Sequence, residues 1–183
     1  MKTKLLGTLV KHPIAFVLIV LALIFVLLLS SKAVEASDMP AIKQILEVID
    51  GNTLKVSTIE GDTFTVKLKG VDAPELGQEF AQESLNYLQK IVANENVLVE
   101  YSGKDRWGNR LVHVTTKKGK SINELMIKEG YGWVDRFFLS QANLIELQEA
   151  AKIKNIGLWN KEEEPMAPWV YDRIQVRVRS NGR

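Results

Sequence analysis

"VIDGNTLKV" (Val48 to Val56), followed by "LKGVDAPEL" (Leu68 to Leu76), sets the fold and poses the chemical question. Between and within them, "TLKVST" and "TFTVKLKG" alternate apolar and polar residues, the pattern of half-buried strands. Gly51-Asn52 and Glu60-Gly61-Asp62 supply turns. With "ILEVI" ahead of them, which alternates poorly, the segment predicts three β-strands. Asp50, Asp72 and Glu75 then sit beside two turns, where three carboxylates that converge look like a cation site. Asp50-Gly51-Asn52 also reads as a turn that needs positive-φ residues.

Working outward, Gly77 to Asn94 predicts a helix, with Phe80, Leu85, Leu88, Ile91 and Val92 on one stripe. "NVLVEY" is a fourth strand, "SGKDRWGN" a turn-rich link in which Asp105 and Gly108 are turn residues, and "RLVHVTT" a fifth strand. Ser121 to Glu129 makes a short helix with Ser121 as N-cap and Glu124 completing a capping box. Gln141 to Lys154 makes a longer helix, apolar at Leu144, Leu147, Ala151 and Ile153 and closed by Gly157. The plan is α+β: a five-stranded OB-fold-type β-barrel with a helix after the third strand and C-terminal helices, over residues 37–160. Residues 161–183 form a tail partly packed on the domain, in which "VRVR" reads as a solvated edge strand with Arg177 and Arg179 on one face. Trp107, Trp133, Trp159 and Trp169 read as packing residues.

The absence of cysteine excludes disulfides, thiolate metal sites and Cys nucleophiles, and two histidines make a zinc site improbable. The formal charge of +2 belongs to the N-terminus. Setting aside Lys2, Lys4, Lys11, Lys32 and Glu35 leaves 20 basic and 21 acidic residues, net −1, in residues 37–183. That is not the basic balance of a dedicated nucleic-acid binder.

Residues 1–36 read as a cytoplasmic stub, one transmembrane helix and a short linker. "PIAFVLIVLALIFVLLL" (Pro13 to Leu29) is an apolar run of 17 residues, at the short end of a bilayer span. The preceding lysines place the N-terminus in the cytoplasm and the domain on the extracytoplasmic side of the membrane as a single-pass protein. The alternative is a secreted protein, cleaved after Ala36 at "VEA".

From Ile45 to Ile174 the chain resembles the staphylococcal nuclease (thermonuclease-like) family. The resemblance rests on "DGNTLKV" against a family "DGDT" turn and "LKGVDAPE" against "RLxGIDAPE". It extends through "DRWGNRL" against "DRYGRxL", "GYGWVD" against "GYAW", "KNIGLW" against "RxGLW" and "APWVYDR" against "PPWxxR". The resemblance implies Ca²⁺-dependent hydrolysis of DNA and RNA phosphodiesters. It implies Asp72 as a metal ligand, Asp50 in support, and Glu75 as general base. Three positions depart from the family: Asn52 stands for a ligating aspartate, Lys67 for one phosphate-binding arginine and Asn109 for the other. Arg110, adjacent to Asn109, should point to the opposite face unless a bulge shifts the register. These losses favour an impaired catalyst with weak Ca²⁺ binding, acting as a binding or assembly module. Its partners would be nucleic acid or a membrane protein met through the nuclease face or the tail. The alternative is an active Ca²⁺-dependent endonuclease.

Overall fold

The computed structural model describes residues 17–26, 40–93 and 96–181. Two compact units divide the chain, Met1–Pro40 and Ala41–Arg183. In the first, residues 17–26 are helical. No helix among the described residues is long and apolar enough to cross a membrane. The remainder of the Pro13–Leu29 run and the Val34–Ala36 cleavage site lie outside the described residues.

The second unit has its own core. Its strands are β1 (Ile42–Val48), β2 (Thr53–Thr58), β3 (Thr63–Leu68), β4 (Val71–Asp72), β5 (Val97–Lys104), β6 (Arg110–Thr116) and β7 (Trp133–Val134). The helices are α1 (Ala81–Ala93), α2 (Ile122–Lys128), α3 (Ala142–Ile153) and α4 (Pro168–Asn181), with a 3₁₀ turn at Gly157–Trp159 between the last two. Five strands form one sheet in the order β1-β2-β3-β6-β5, antiparallel except for the parallel β3–β6 pair. The sheet is a curled half-barrel, with β1 and β5 at its edges, consistent with the OB-fold plan expected. β4 and β7 make a separate two-stranded pair that alternation did not reveal, because each strand has only two residues.

"ILEVI" alternates poorly because β1 is irregular: its register against β2 shifts between Ile42 and Gln44 and again between Ile45 and Glu47. In contrast, β2 and β3 pair without a shift and send Leu54, Val56, Val66 and Leu68 into the core. Val112 and Val114 of β6, Leu88 of α1, and Ile122, Met126 and Ile127 of α2 complete it. Each such side chain contributes roughly 1.5–3 kcal/mol by leaving water. A second cluster gathers Trp133, Ala151, Leu158 and Trp159, with Phe80, Ala167 and Trp169 packed on it.

Four local expectations change. The Ser121 Oγ accepts the Glu124 N–H as an N-cap should, but the Glu124 carboxylate accepts from Asn143, so the capping box is half formed. α3 is followed by Asn155 at φ 50°, which takes the left-handed position assigned to Gly157. The tail is helix, not edge strand: α4 carries "VRVR". Here Pro168 opens the helix, its fixed φ suiting the first turn, and outweighs the β-branched alternation. Finally, Gly51 is needed for space, not for positive φ. A Cβ there would lie 2.0 Å from Ser84 Oγ and 2.7 Å from Ala73 Cβ, because α1 crosses against this turn.

Candidate active site

The ends of β3 and β4, the β5–β6 turn, the segment after β7 and the start of α4 enclose an open cavity of about 240 Å³. Asn52, Lys67, Asp72, Glu75 and Asn109 line it together. Asp50 and Arg110 do not line it. The Asp50 carboxylate closes its own turn by accepting the Asn52 N–H at 2.8 Å. The Arg110 guanidinium lies over the Phe64 ring, 4.6 Å from its centroid. The register irregularity nearby falls on β5, between Tyr101 and Lys104, so alternation holds along β6: Asn109 and Leu111 face the cavity and Arg110 does not.

Lys67 reaches the cavity because β3 pairs with Thr53 on one side and Leu111 on the other. Asn123 of α2 locks that junction. Its buried amide donates to the Lys69 and Val112 carbonyls, and its Oδ1 accepts the Val114 N–H. Asp72 is fixed by β4 pairing with β7, where it faces Trp133 across the two strands. The Glu75 backbone N–H donates to Gln78 Oε1 at 3.0 Å. Among the described residues, no hydrogen bond or ion pair engages the side chains of Asp72, Glu75 or Lys67.

The two substituted asparagines are engaged differently. Asn52 is 6% exposed; its Nδ2 donates to the Val71 carbonyl at 2.9 Å and its Oδ1 accepts from Thr53 Oγ1 at 3.1 Å. Its carbonyl accepts the Leu68 N–H at 2.8 Å, so one residue ties β2, β3 and β4. Asn109 closes the β5–β6 turn: its Nδ2 donates to Asp105 Oδ2 at 2.7 Å and its N–H to Asp105 Oδ1 at 2.8 Å. Asp105 and Gly108 are turn residues as expected; Gly108 has φ 86° and its N–H donates to the Asp105 carbonyl.

Sequence reasoning missed Asp135, Arg136, Phe137, Trp169 and Asp172, all of which line the cavity. Asp135 and Asp172 lie inside "GYGWVD" and "APWVYDR", which had served as markers of family and not as sources of chemistry. Trp107 is also at the cavity and 62% exposed, so it is not a packing residue. Its ring meets Phe137 edge-on at 5.1 Å, and the Phe137 ring lies under both the Arg106 and Arg136 guanidinium groups at 4.8 Å.

Five carboxylates (Asp72, Glu75, Asp105, Asp135 and Asp172) thus share the lining with two cations, Lys67 and Arg136. The acids feel it. Burial, then the charges of Asp135 and Glu75, push Asp72 up from 3.8 to about 7, against the opposing pull of Lys67. Glu75 is also raised, first by burial and then by Asp172, with Lys67 lowering it. Asp135 is raised by burial, although its carboxylate accepts the Phe137 N–H at 2.9 Å.

A hard divalent cation suits this lining, whose potential ligands are all oxygens. No three acidic or histidine side chains among the described residues stand close enough to form a ready-made cage. A cation here would take one or two carboxylates and complete its shell with water and substrate oxygens, as open phosphate-processing sites do.

Comparison with known proteins gives one consistent answer. Residues 65–161 match the family model described as staphylococcal nuclease homologue. A protein of Haemophilus influenzae named an uncharacterized endonuclease is 34% identical over 125 residues, covering 68% of this chain and 69% of that protein. One of Escherichia coli O157:H7 with the same description is 30% identical over 128 residues, covering 70% and 82%. A micrococcal nuclease of Shigella flexneri is 27% identical over 140 residues, covering 71% and 79%. With the half-barrel sheet, the order of its motifs and these relatives, the chain belongs to the staphylococcal nuclease family.

Proposed function

We propose that this domain hydrolyses phosphodiester bonds of nucleic acid, at a rate reduced by its three substitutions. One observation carries the reading: Lys67, Asp72, Glu75 and Arg136 line one cavity, with neither the Asp72 nor the Glu75 carboxylate engaged in a hydrogen bond among the described residues. Glu75 acts as general base, taking a proton from the attacking water as its oxygen bonds to phosphorus. Burial and Asp172 raise its proton affinity, which favours that role near neutral pH. Lys67 and Arg136 hold the non-bridging oxygens and offset the charge that grows on them. The ester oxygen leaves and takes its proton from solvent. Arg136, unlike Lys67, presents a planar fork, so it replaces part of what Asn109 lacks.

The lining's excess of carboxylates opposes an incoming phosphate. A Ca²⁺ held by Asp72 would supply the missing positive charge. With Asn52 neutral, that binding is weak, in the millimolar range of sites with few charged ligands. The second reading, nucleic-acid binding without cleavage, draws on Asn52 and Asn109 being committed to structural bonds.

The test is an assay of residues 37–183 on single-stranded DNA and RNA, with Ca²⁺ and with chelator. Slow, chelator-sensitive cutting that Glu75→Gln abolishes supports the hydrolase. Retention of oligonucleotide without cutting supports the binding module, and neither result turns attention to a protein partner. The apolar run and the lysines before it support a tether with the domain outside the cytoplasm. Protease added to spheroplasts should remove a tethered domain, and a mature N-terminus at Ser37 would show secretion instead.

A further inference from the structure

The C-terminal tail crosses the segment that carries Glu75 at three points. Lys161 forms an ion pair with Glu79. Gln78 is 8% exposed and double-ended: its Oε1 accepts the Glu75 N–H at 3.0 Å, and its Nε2 donates to the Met166 carbonyl at 2.5 Å. Tyr171 lies against Gly77, where an added Cβ would come within 3.2 Å of the Tyr171 hydroxyl. On either side of the last crossing, α4 places Trp169 and Asp172 in the cavity that Glu75 also lines.

The crossed segment needs restraint. It runs without helix or strand from Ala73 to Phe80, and Phe80 sits at φ 69°, a conformation unfavourable for an aromatic residue by about 1–3 kcal/mol. It is held from below by Phe80 stacking on Tyr131 at 5.6 Å. From above, the only side chain bonded to the Glu75 backbone among the described residues is that of Gln78. A buried glutamine with one end on the loop and the other on the tail makes the position of Glu75 depend on whether the tail is seated.

We propose that the tail from Lys161 to Asp172 is a working wall of the active site, and that Gln78 is a positioning residue that couples its seating to the placement of Glu75. The wall supplies Asp172 and Trp169 to the lining and fixes the loop that bears the base. Its effect on turnover rests on the hydrolase reading; its effect on the loop does not.

The experiment therefore has two arms, both on residues 37–183. The first measures hydrogen exchange at the Glu75 amide in the parent, in Gln78→Leu, in a deletion of residues 165–183, and in Lys161→Glu/Tyr171→Ala, which loosens the tail should the deletion fail to fold. Exchange at Glu75 is expected to rise about tenfold or more in each variant, while amides of β2 and β3 keep their protection. Gln78→Glu, which keeps the acceptor but not the donor, should retain protection at Glu75 better than Gln78→Leu does. The second arm measures cleavage. Gln78→Leu and tail loosening should each lower kcat about tenfold with little change in KM, and the combination should do no worse than the stronger single change, because both break one coupling. Unchanged Glu75 exchange on tail loosening, or effects that multiply, would overturn the proposal. A parent that does not cleave refutes the hydrolase reading alone, and the exchange arm still decides the wall.

Discussion

Two sets of residues line the same cavity, and they are satisfied to opposite degrees. Where the chain departs from its family at Asn52 and Asn109, the side chains are bonded into the fold: both ends of Asn52, to Val71 and Thr53, and the Nδ2 of Asn109, to Asp105. Where it keeps the family pattern, at Asp72 and Glu75, the carboxylates have no hydrogen bond among the described residues; burial raises both, followed by the charges of Asp135 and Glu75 on Asp72 and of Asp172 on Glu75. A side chain whose bonds are complete contributes to the fold. A buried charge left without a partner destabilises the fold, and it persists where chemistry or a ligand uses it. On the proposed function, the contrast assigns structure to Asn52 and Asn109 and reactivity to Asp72 and Glu75, with Lys67, substituted yet unbonded among the described residues, on the reactive side.

The strongest way to break that contrast is at Glu75. If it is the base, Glu75→Gln should lower kcat on single-stranded DNA by roughly 10²–10³ or more and leave the folded state at least as stable, since the change removes a charge from a crowded site. Equal loss of activity and stability would place Glu75 among the structural residues. Urea denaturation alongside single-turnover cleavage separates the two.

Next comes Asp72, through pH. Its carboxyl binds a proton more tightly folded, near 7, than unfolded, near 3.8. Stability therefore falls as pH rises from about 4 through 7, and the loss is complete above the folded value. Denaturation in chelator should show the domain more stable at pH 5 than at pH 8. Asp72→Asn should flatten the dependence and stabilise the domain at pH 8 by a few kcal/mol, up to about 4. Millimolar Ca²⁺ should recover part of the loss in the parent but not in the variant. A parent equally stable at both values would show that the carboxylate is better solvated than its surroundings imply.

How much of this was legible beforehand follows from where information sits in a chain. β2, β3 and α1 were readable because periodicity reports burial, and Leu54, Val56, Val66 and Leu88 carry it. The retained site residues were readable because "DAPE" and the "DG" turn are local words. Arg136, Asp135 and Asp172 were not, since nothing in their immediate neighbours says that β7 and α4 deliver them to a cavity built by β3 and β4. The roles of Asn52 and Asn109 were also hidden. A missing charge is visible in sequence, whereas Val71 as the partner of Asn52 is a contact across 19 positions. The helix α4 was misread because alternation in "VRVR" outweighed Pro168, a helix-opening signal placed too far upstream to be weighed with it.

That hidden role changes what repair at position 52 should do. Asn52→Asp restores a ligand charge on paper. In the folded chain it replaces a donor to the Val71 carbonyl with a second oxygen facing it, inside a site that already holds too many carboxylates. The variant should be less stable than the parent by about 1–3 kcal/mol without Ca²⁺. It should gain Ca²⁺ affinity only by recovering part of that loss. Calorimetric titration paired with thermal melts measures both; tighter binding with no loss of stability would mean that the Val71 bond is dispensable.

The smallest effect belongs to Asn109, and it completes the contrast. Its turn is exposed, and Asp105 keeps its bonds to the backbone N–H groups of Trp107 and Asn109 when the Asn109 amide is removed. Asn109→Ala should therefore cost less than about 1 kcal/mol, the net worth of one exposed hydrogen bond. Because its amide is held by Asp105 and contributes no charge, cleavage should change by less than about threefold. Asn109→Arg asks more. Asp105, freed from the amide, offers the new guanidinium a carboxylate at the turn, so the arginine should pair with Asp105 rather than stand open to phosphate, and any gain in rate should be modest until Asp105 is also neutralised. Comparing Asn109→Arg with Asp105→Asn/Asn109→Arg on the same single-stranded substrate tests this. A large gain from the single change would show that the cavity, not the turn, claims the side chain at position 109, and that one retained and one substituted position belong to the same catalytic unit after all.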